Sequence, residues 1–168
     1  FTAEIELRGL FFETRFAPLR SGDALSGTIG VATDITERRQ AERSARRQTA
    51  AMEGAMDGIA IINSNDEFVY ANRAYAAILG LPAPSALIGK SWRAGFEREE
   101  RDRFEREVLP EFTRDGRWGG ETVVTRVDGS PLPVELSISA LDGGGVVCVL
   151  RDASERRQAK DEIERLFL

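Results

Sequence analysis

Between Pro131 and Leu141 apolar and polar residues alternate. Val134, Leu136, Ile138 and Ala140 fall on one side of an extended chain, Glu135, Ser137 and Ser139 on the other. That period predicts a strand with one buried and one wetter face. Trp118 to Val127 predicts its hairpin partner across Asp128-Gly129, a strong turn signal. Ile59 to Ile62 and Val146 to Arg151 are apolar on both faces, which predicts two central strands covered on both sides. Glu67 to Ala71 predicts a further strand after a turn at Asn63-Ser64-Asn65-Asp66, whose side chains tolerate left-handed backbone. Asn72 is expected to open a helix over Arg73 to Leu79, closed by Gly80. Leu81 to Ser91 reads as irregular, with Pro82 and Pro84 blocking regular structure. A longer helix is predicted over Glu97 to Thr113, with Phe104, Val108 and Phe112 on one stripe and a kink at Pro110. Its other face offers Glu97–Arg101, Glu99–Arg103 and Asp102–Arg106 pairs. The order is two strands, helices, three strands. It predicts an α+β fold: a five-stranded antiparallel sheet with the first and last strands adjacent at its middle and helices on one face.

The chain repeats itself. Asp34-Ile35-Thr36-Glu37-Arg38-Arg39-Gln40-Ala41 recurs as Asp152-Ala153-Ser154-Glu155-Arg156-Arg157-Gln158-Ala159, an offset of 152 − 34 = 118 residues. Upstream, Phe12 to Phe16 matches Val134 to Ile138 in character, at an offset of 134 − 12 = 122. A period of that length is a domain rather than a solenoid unit. Residues 1–36 therefore read as the last two strands of one domain, 37–56 as a linker helix, 57–153 as a complete domain, and 154–168 as the start of an outgoing helix. Asp34 with Glu37, and Asp152 with Glu155, have capping-box spacing, so a strand is expected to run directly into a helix in both copies. The first helix is expected from Ile35 to Met56, with Ala41, Ala45, Met52 and Ala55 on one seam and Glu42–Arg46 as a pair. Ala159, Ile163 and Leu166 continue such a seam in the second. These heptads are short; a solvated linker helix fits the same spacing.

Composition removes many chemistries. The 168 residues contain no histidine and one cysteine, Cys148. His-based triads, His-ligated haem and an intrachain disulfide are thereby excluded. Ser and Thr residues have no His partner. Gly143-Gly144-Gly145 lacks the Lys and following helix of a phosphate loop. No catalytic or metal-ligating constellation is found, and the chain is not expected to be an enzyme. A net charge of −5 argues against nucleic acid as a partner. The longest unbroken apolar run, Ala74 to Leu79, is too short to span a bilayer, and no secretory signal opens the chain. A cytoplasmic location is expected. Phe1 rather than Met comes first, and the chain is read as a fragment of a longer protein.

Asp57-Gly58-Ile59, Val69-Tyr70-Ala71-Asn72, Ile88-Gly89, Gly116-Arg117-Trp118-Gly119-Gly120-Glu121, Asp128-Gly129-Ser130, Pro133-Val134-Glu135 and the Asp-(Ile/Ala)-(Thr/Ser)-Glu-Arg endings together resemble the PAS family of sensory modules. Their order and spacing carry the resemblance; each is weak alone. It implies one full PAS domain and the tail of another, with a pocket between the helices and the inner sheet face. A signal there would pass through flanking helices to an output domain, such as a histidine kinase, outside these residues.

Pocket candidates on the first two strands and the short helix are Ile61, Tyr70 and Ile78, with Ile59 beside them. The irregular stretch and the long helix supply Leu87, Trp92, Phe96 and Phe104, with Val108. The late strands supply Val124, Leu136, Ile138 and Cys148. Any packed core would contain such residues. Tyr70 and Trp92 stand out because each joins an apolar body to a polar group a ligand could use. Trp118 is expected to pack on the sheet. Asp34, Thr36, Asp152 and Ser154 are candidates for coupling, although they also suit a simple helix cap. The Arg38, Arg39, Arg43, Arg46 and Arg47 cluster reads as a solvated face.

Flavin-photosensing relatives carry an Asn-Cys-Arg motif that Ile88 to Phe96 lacks, so a cysteinyl-flavin photocycle is excluded. A noncovalent flavin or a small apolar or aromatic ligand stays open. The expected partners are a second copy of the chain, through the linker helix and the sheet face, and an output domain of the same chain. The alternative role is a structural dimerisation module with a filled pocket.

Overall fold

The computed structural model describes residues 1–166. They divide into two units, one of residues 1–51 and one of the described residues from 52 onward.

The first unit is a three-stranded antiparallel sheet, β1 (Thr2–Leu7), β2 (Leu10–Ser21) and β3 (Ala24–Asp34), leading into helix α1 (Thr36–Glu53). The two expected strands are present and longer than the pattern suggested, and β1 was not expected. Its signal is in the sequence all the same: Ala3, Ile5 and Leu7 alternate with Glu4 and Glu6. Arg8 (φ 50°) and Gly9 (φ 82°) make a two-residue turn of the kind that matches strand twist. Helix α1 stops at Glu53 because Gly54 follows, so Ala55 lies outside it and the proposed seam is one position short. Arg46 forms no pair with Glu42. Other arginines of this helix reach back to the sheet instead: Arg39 to Glu4, Arg38 to Glu13 at 3.9 Å, and Arg43 over the Phe11 ring at 4.6 Å.

The repeat holds at the level of register. Phe12 pairs with Asp34, and Val134 with Asp152. In both copies the aspartate is followed by the same joint. Asp34 Oδ1 accepts from Thr36 N–H at 2.9 Å, and Asp152 Oδ1 from Ser154 N–H at 2.8 Å. Both carboxyls are held below the usual range by hydrogen bonding from those residues. The bond spans two residues, not three, and among the described residues Glu37 and Glu155 give nothing back. The joint is thus an Asp-capped helix start without the reciprocal half of a capping box. The ion pair Arg38–Glu13 also recurs, as Arg156–Glu135 at 3.8 Å. One tie does not. Thr36 Oγ1 accepts from Phe11 N–H at 2.9 Å, whereas the equivalent of Phe11 is Pro133, which has no N–H to give.

The second unit contains β4 (Gly58–Ile62), β5 (Phe68–Ala71), α2 (Arg73–Ile78), α3 (Arg98–Arg103), α4 (Leu109–Asp115), β6 (Arg117–Thr125), β7 (Pro131–Ala140), β8 (Val146–Asp152) and α5 (Ser154–Leu166). Short 3₁₀ turns at Pro84–Ala86 and Trp92–Gly95 join α2 to α3. The sheet order is β5-β4-β8-β7-β6, all antiparallel, with the two strands that are apolar on both faces at the centre, as expected. The long helix is not one continuous α-helix. It opens into a π-helical turn over Phe104–Val108, and Pro110 sits in the first turn of α4, where its missing N–H leaves least unsatisfied. The expected i, i+4 pairs do not form among the described residues. Arg103 pairs with Glu100 and, at 3.6 Å, with Glu107.

Asn72 ties the start of this unit together. It is fully buried. Its Oδ1 accepts from Ile59 N–H and Tyr75 N–H, both at 2.9 Å, so it caps α2 as expected and also anchors β4. Its Nδ2 donates to the carbonyls of Met52 at 2.7 Å and Asp57 at 3.1 Å. Asn72→Ala strands four backbone groups, that of Tyr75 buried and the others partly buried, for which a loss of about 3 kcal/mol is expected. Asn72→Asp keeps the acceptor but sets a carboxylate against two carbonyl oxygens, and should also destabilise. Urea unfolding of both variants checks this; a midpoint unchanged in Asn72→Ala would contradict the assignment.

Candidate functional site

The register of the sheet sets the floor of a cavity. Ala60 lies opposite Cys148, Cys148 opposite Ile138, and Ile138 opposite Trp118, so one row crosses the inner face. Ala60 and Cys148, its members on the paired strands β4 and β8, are small. The helical segments on that face do not fill the space above them, leaving a cavity of about 410 Å³. Its wall is aromatic. Trp92, Phe96 and Phe104 pack with ring centroids 5.3–5.7 Å apart, and Phe104 meets Trp118 edge-on at 5.8 Å.

Of the pocket candidates, Leu87, Trp92, Phe96 and Phe104 line this cavity from the helical side. Val124, Leu136, Ile138 and Cys148 line it from the sheet. Ile61, Tyr70 and Ile78 do not. On β4, Ala60 and Ile62 face inward, so Ile59 and Ile61 face the other way. A register shift between Ile61 and Ile62 pairs Ile62 with Phe68 and leaves Tyr70 opposite Ile61. Tyr70 donates instead to Glu53 Oε1 at 2.9 Å, and burial, then this carboxylate, push its hydroxyl up to about 12. Ile78 packs beside Gly58 at the edge of the core. Val108 is core but not lining.

The polar group of Trp92 is already engaged. Its Nε1 donates to Asp66 Oδ1 at 3.1 Å, while Arg93 Nη1 donates to Asp66 Oδ2 at 2.6 Å and Arg93 Nε to Glu105 at 2.8 Å. The hydrogen bond from Arg93 holds the Asp66 carboxyl below the usual range. Tyr75, which the sequence reading missed, takes the place intended for Tyr70. It lines the cavity, its hydroxyl forms no hydrogen bond among the described residues, and burial drives it well above its ordinary range. Leu79, Phe112 and Arg126 were missed as well. Tyr75 on α2 and Leu79 at its C-cap stand at i, i+4, and Phe112 shares the stripe of Phe104; those spacings were the available signal.

The PAS domain family matches residues 56–155. The chain belongs to the PAS domain family. PAS domains are sensory modules of signalling proteins, histidine kinases among them. Solved structures agree on the fold. The PAS domain of a LuxR-family transcriptional regulator from Burkholderia thailandensis, solved in complex with ethanol, is 22% identical, covering 63% of this chain and 96% of its own, with a TM-score of 0.58. A PAS domain of an HTR-like protein from Haloarcula marismortui is 24% identical over 69% of this chain and 97% of its own, with a TM-score of 0.55. A domain of a sensory box sensor histidine kinase/response regulator from Geobacter sulfurreducens is 24% identical over 70% and 99%, with a TM-score of 0.53. No curated protein matches the chain. Among the described residues no helix is long and apolar enough to cross a membrane.

Cys148 is buried on the cavity floor, and burial pushes its thiol up to about 12. The folded state therefore keeps the proton that the unfolded chain begins to lose near pH 8.5. The stabilisation from this group is complete below that pH and declines as pH rises toward 12. At pH 8 a disulfide reagent should react at least ~100-fold more slowly with the folded PAS domain than with the chain in guanidinium. Equal rates would place the thiol outside the core.

Proposed function

We propose that the PAS domain takes a small organic ligand, mostly apolar or aromatic, into this cavity and passes its occupancy through α5 to an output domain of the same protein, a histidine kinase. The observation that carries the reading is a cavity of about 410 Å³ with an aromatic wall and an unengaged Tyr75 hydroxyl, on a sheet whose last strand leads into α5. The size is that of a small-molecule site. The ethanol complex of the Burkholderia PAS domain and the kinase origin of the Geobacter domain support it by analogy. Residues 1–36 we read as the closing strands of a preceding PAS domain. Leu10 and Phe16, both 44% exposed, occupy the positions of Leu132 and Ile138, which are buried in the complete domain. We further read the assembly as a homodimer through the linker helix and the sheet face, in the cytoplasm, without catalysis of its own and without nucleic acid.

The test is a thermal-shift panel of small aromatic and aliphatic compounds, paired with mass spectrometry of molecules released from the purified chain. A compound at one hundred times its Kd stabilises by about 2.7 kcal/mol, which moves Tm by roughly 10 °C for a domain of this size. Cys148→Phe, which fills the floor, should abolish the shift while the chain still folds. A flat panel, no released molecule and an unchanged fold in Cys148→Phe would favour the structural dimerisation module instead.

A further inference from the structure

Arg126 belongs to both the cavity and the outgoing joint. It follows β6 and lines the cavity mouth with Thr125 and Val127. Its backbone is fixed: Arg126 N–H donates to Ser130 O at 2.9 Å, and Val127 N–H to Leu79 O at 3.0 Å. From there its Nη2 reaches Asp152 Oδ2 at 3.5 Å, a long contact with both side chains over a third exposed. The other oxygen of Asp152 holds the first turn of α5 through Ser154 N–H. The Nε–H of Arg126 is buried and has no acceptor. A buried donor without a partner is costly and uncommon in folded proteins. Among the cavity's charged residues, Asp66 is already committed to Arg93 and Trp92, whereas Arg126 has only its long contact with Asp152 and Lys90 forms no ion pair among the described residues.

We propose that Arg126 is the ligand-reading contact. The ligand carries a carboxylate or similar anionic group on an aromatic or aliphatic body. That group accepts from Arg126 Nε and draws the guanidinium away from Asp152. A guanidinium suits a two-pronged bond to a carboxylate, which the present 3.5 Å contact with Asp152 does not achieve. Cavity occupancy is then read where α5 begins, through one side chain. Arg126 acts as a positioning residue for α5 as well as a ligand contact. This inference rests on the cavity being a ligand site.

The experiment compares 4-phenylbutyrate with 4-phenylbutanol, which share a body and differ in the head group. Titrations should show the carboxylate binding roughly tenfold more tightly or better, the size of one charge-assisted hydrogen bond. Arg126→Gln should erase the preference while alcohol binding persists, and Arg126→Lys should restore part of it. Amide hydrogen exchange at Ser154 to Arg157 should quicken on adding carboxylate to the wild-type chain, remain unchanged with alcohol, and already be fast in Arg126→Gln. Equal binding of acid and alcohol, or a preference that survives in Arg126→Gln, overturns the role of Arg126 and leaves the cavity reading intact. Binding of neither compound overturns both. Selectivity without any change in exchange at α5 overturns the relay.

Discussion

The second unit depends on the pairing of β4 with β8, two short strands from opposite ends of the domain. Their register, Gly58 to Leu150 through Ile62 to Val146, places Ala60 and Cys148 side by side on the inner face. It also brings the incoming chain at Asp57 beside the outgoing chain at Arg151. Those two residues close the junction with a two-pronged ion pair at 2.9 and 2.6 Å. This surface pair adds little stability by itself. Its significance is geometric: it joins the segment that enters the PAS domain to the end of β8.

Three consequences follow from that pairing. The small pair Ala60–Cys148 leaves room for the cavity beneath the aromatic wall. Asn72, bonded to Ile59 and to the carbonyls of Met52 and Asp57, fixes β4 against α2 and the incoming connection. The last residue of β8, Asp152, is held in the sheet opposite Val134 while its carboxylate caps the next helix. The copy at Asp34 has the same geometry with an added bond from Phe11 to Thr36, which Pro133 removes from the second joint. In its place the second joint has the long contact from Arg126 to Asp152 at 3.5 Å.

Much of this was legible in the sequence. Strand alternation at Val134 to Ala140, the doubly apolar strands Ile59 to Ile62 and Val146 to Arg151, and the Asp34/Asp152 repeat fixed the sheet order and the joints. Of the eight pocket positions, Val124, Leu136, Ile138 and Cys148 came from strands and Phe104 from its stripe, while Leu87, Trp92 and Phe96 came from the apolar residues between the helices. The misses have local causes. A register shift of one residue between β4 and β5 turned Tyr70 away from the cavity, and no alternation pattern reveals such a shift. A π-helical turn before Pro110 interrupts the long helix, which the Phe104, Val108, Phe112 stripe does not reveal. Trp92 was rightly placed, but its N–H went to Asp66, a partner distant in sequence. Arg126 needed the folded chain to show that it lies between the cavity and Asp152.

The central claim is that the state of the cavity is felt at the start of α5. The most direct measurement is two-dimensional NMR of the backbone amides while a compound that stabilises the PAS domain is titrated in. The account predicts shifts of Cys148 and Ile138 on the cavity floor together with Ala153 to Arg157 beyond it, with one common dissociation constant. Shifts confined to the cavity, with the amides after Asp152 unmoved at saturation, would contradict it.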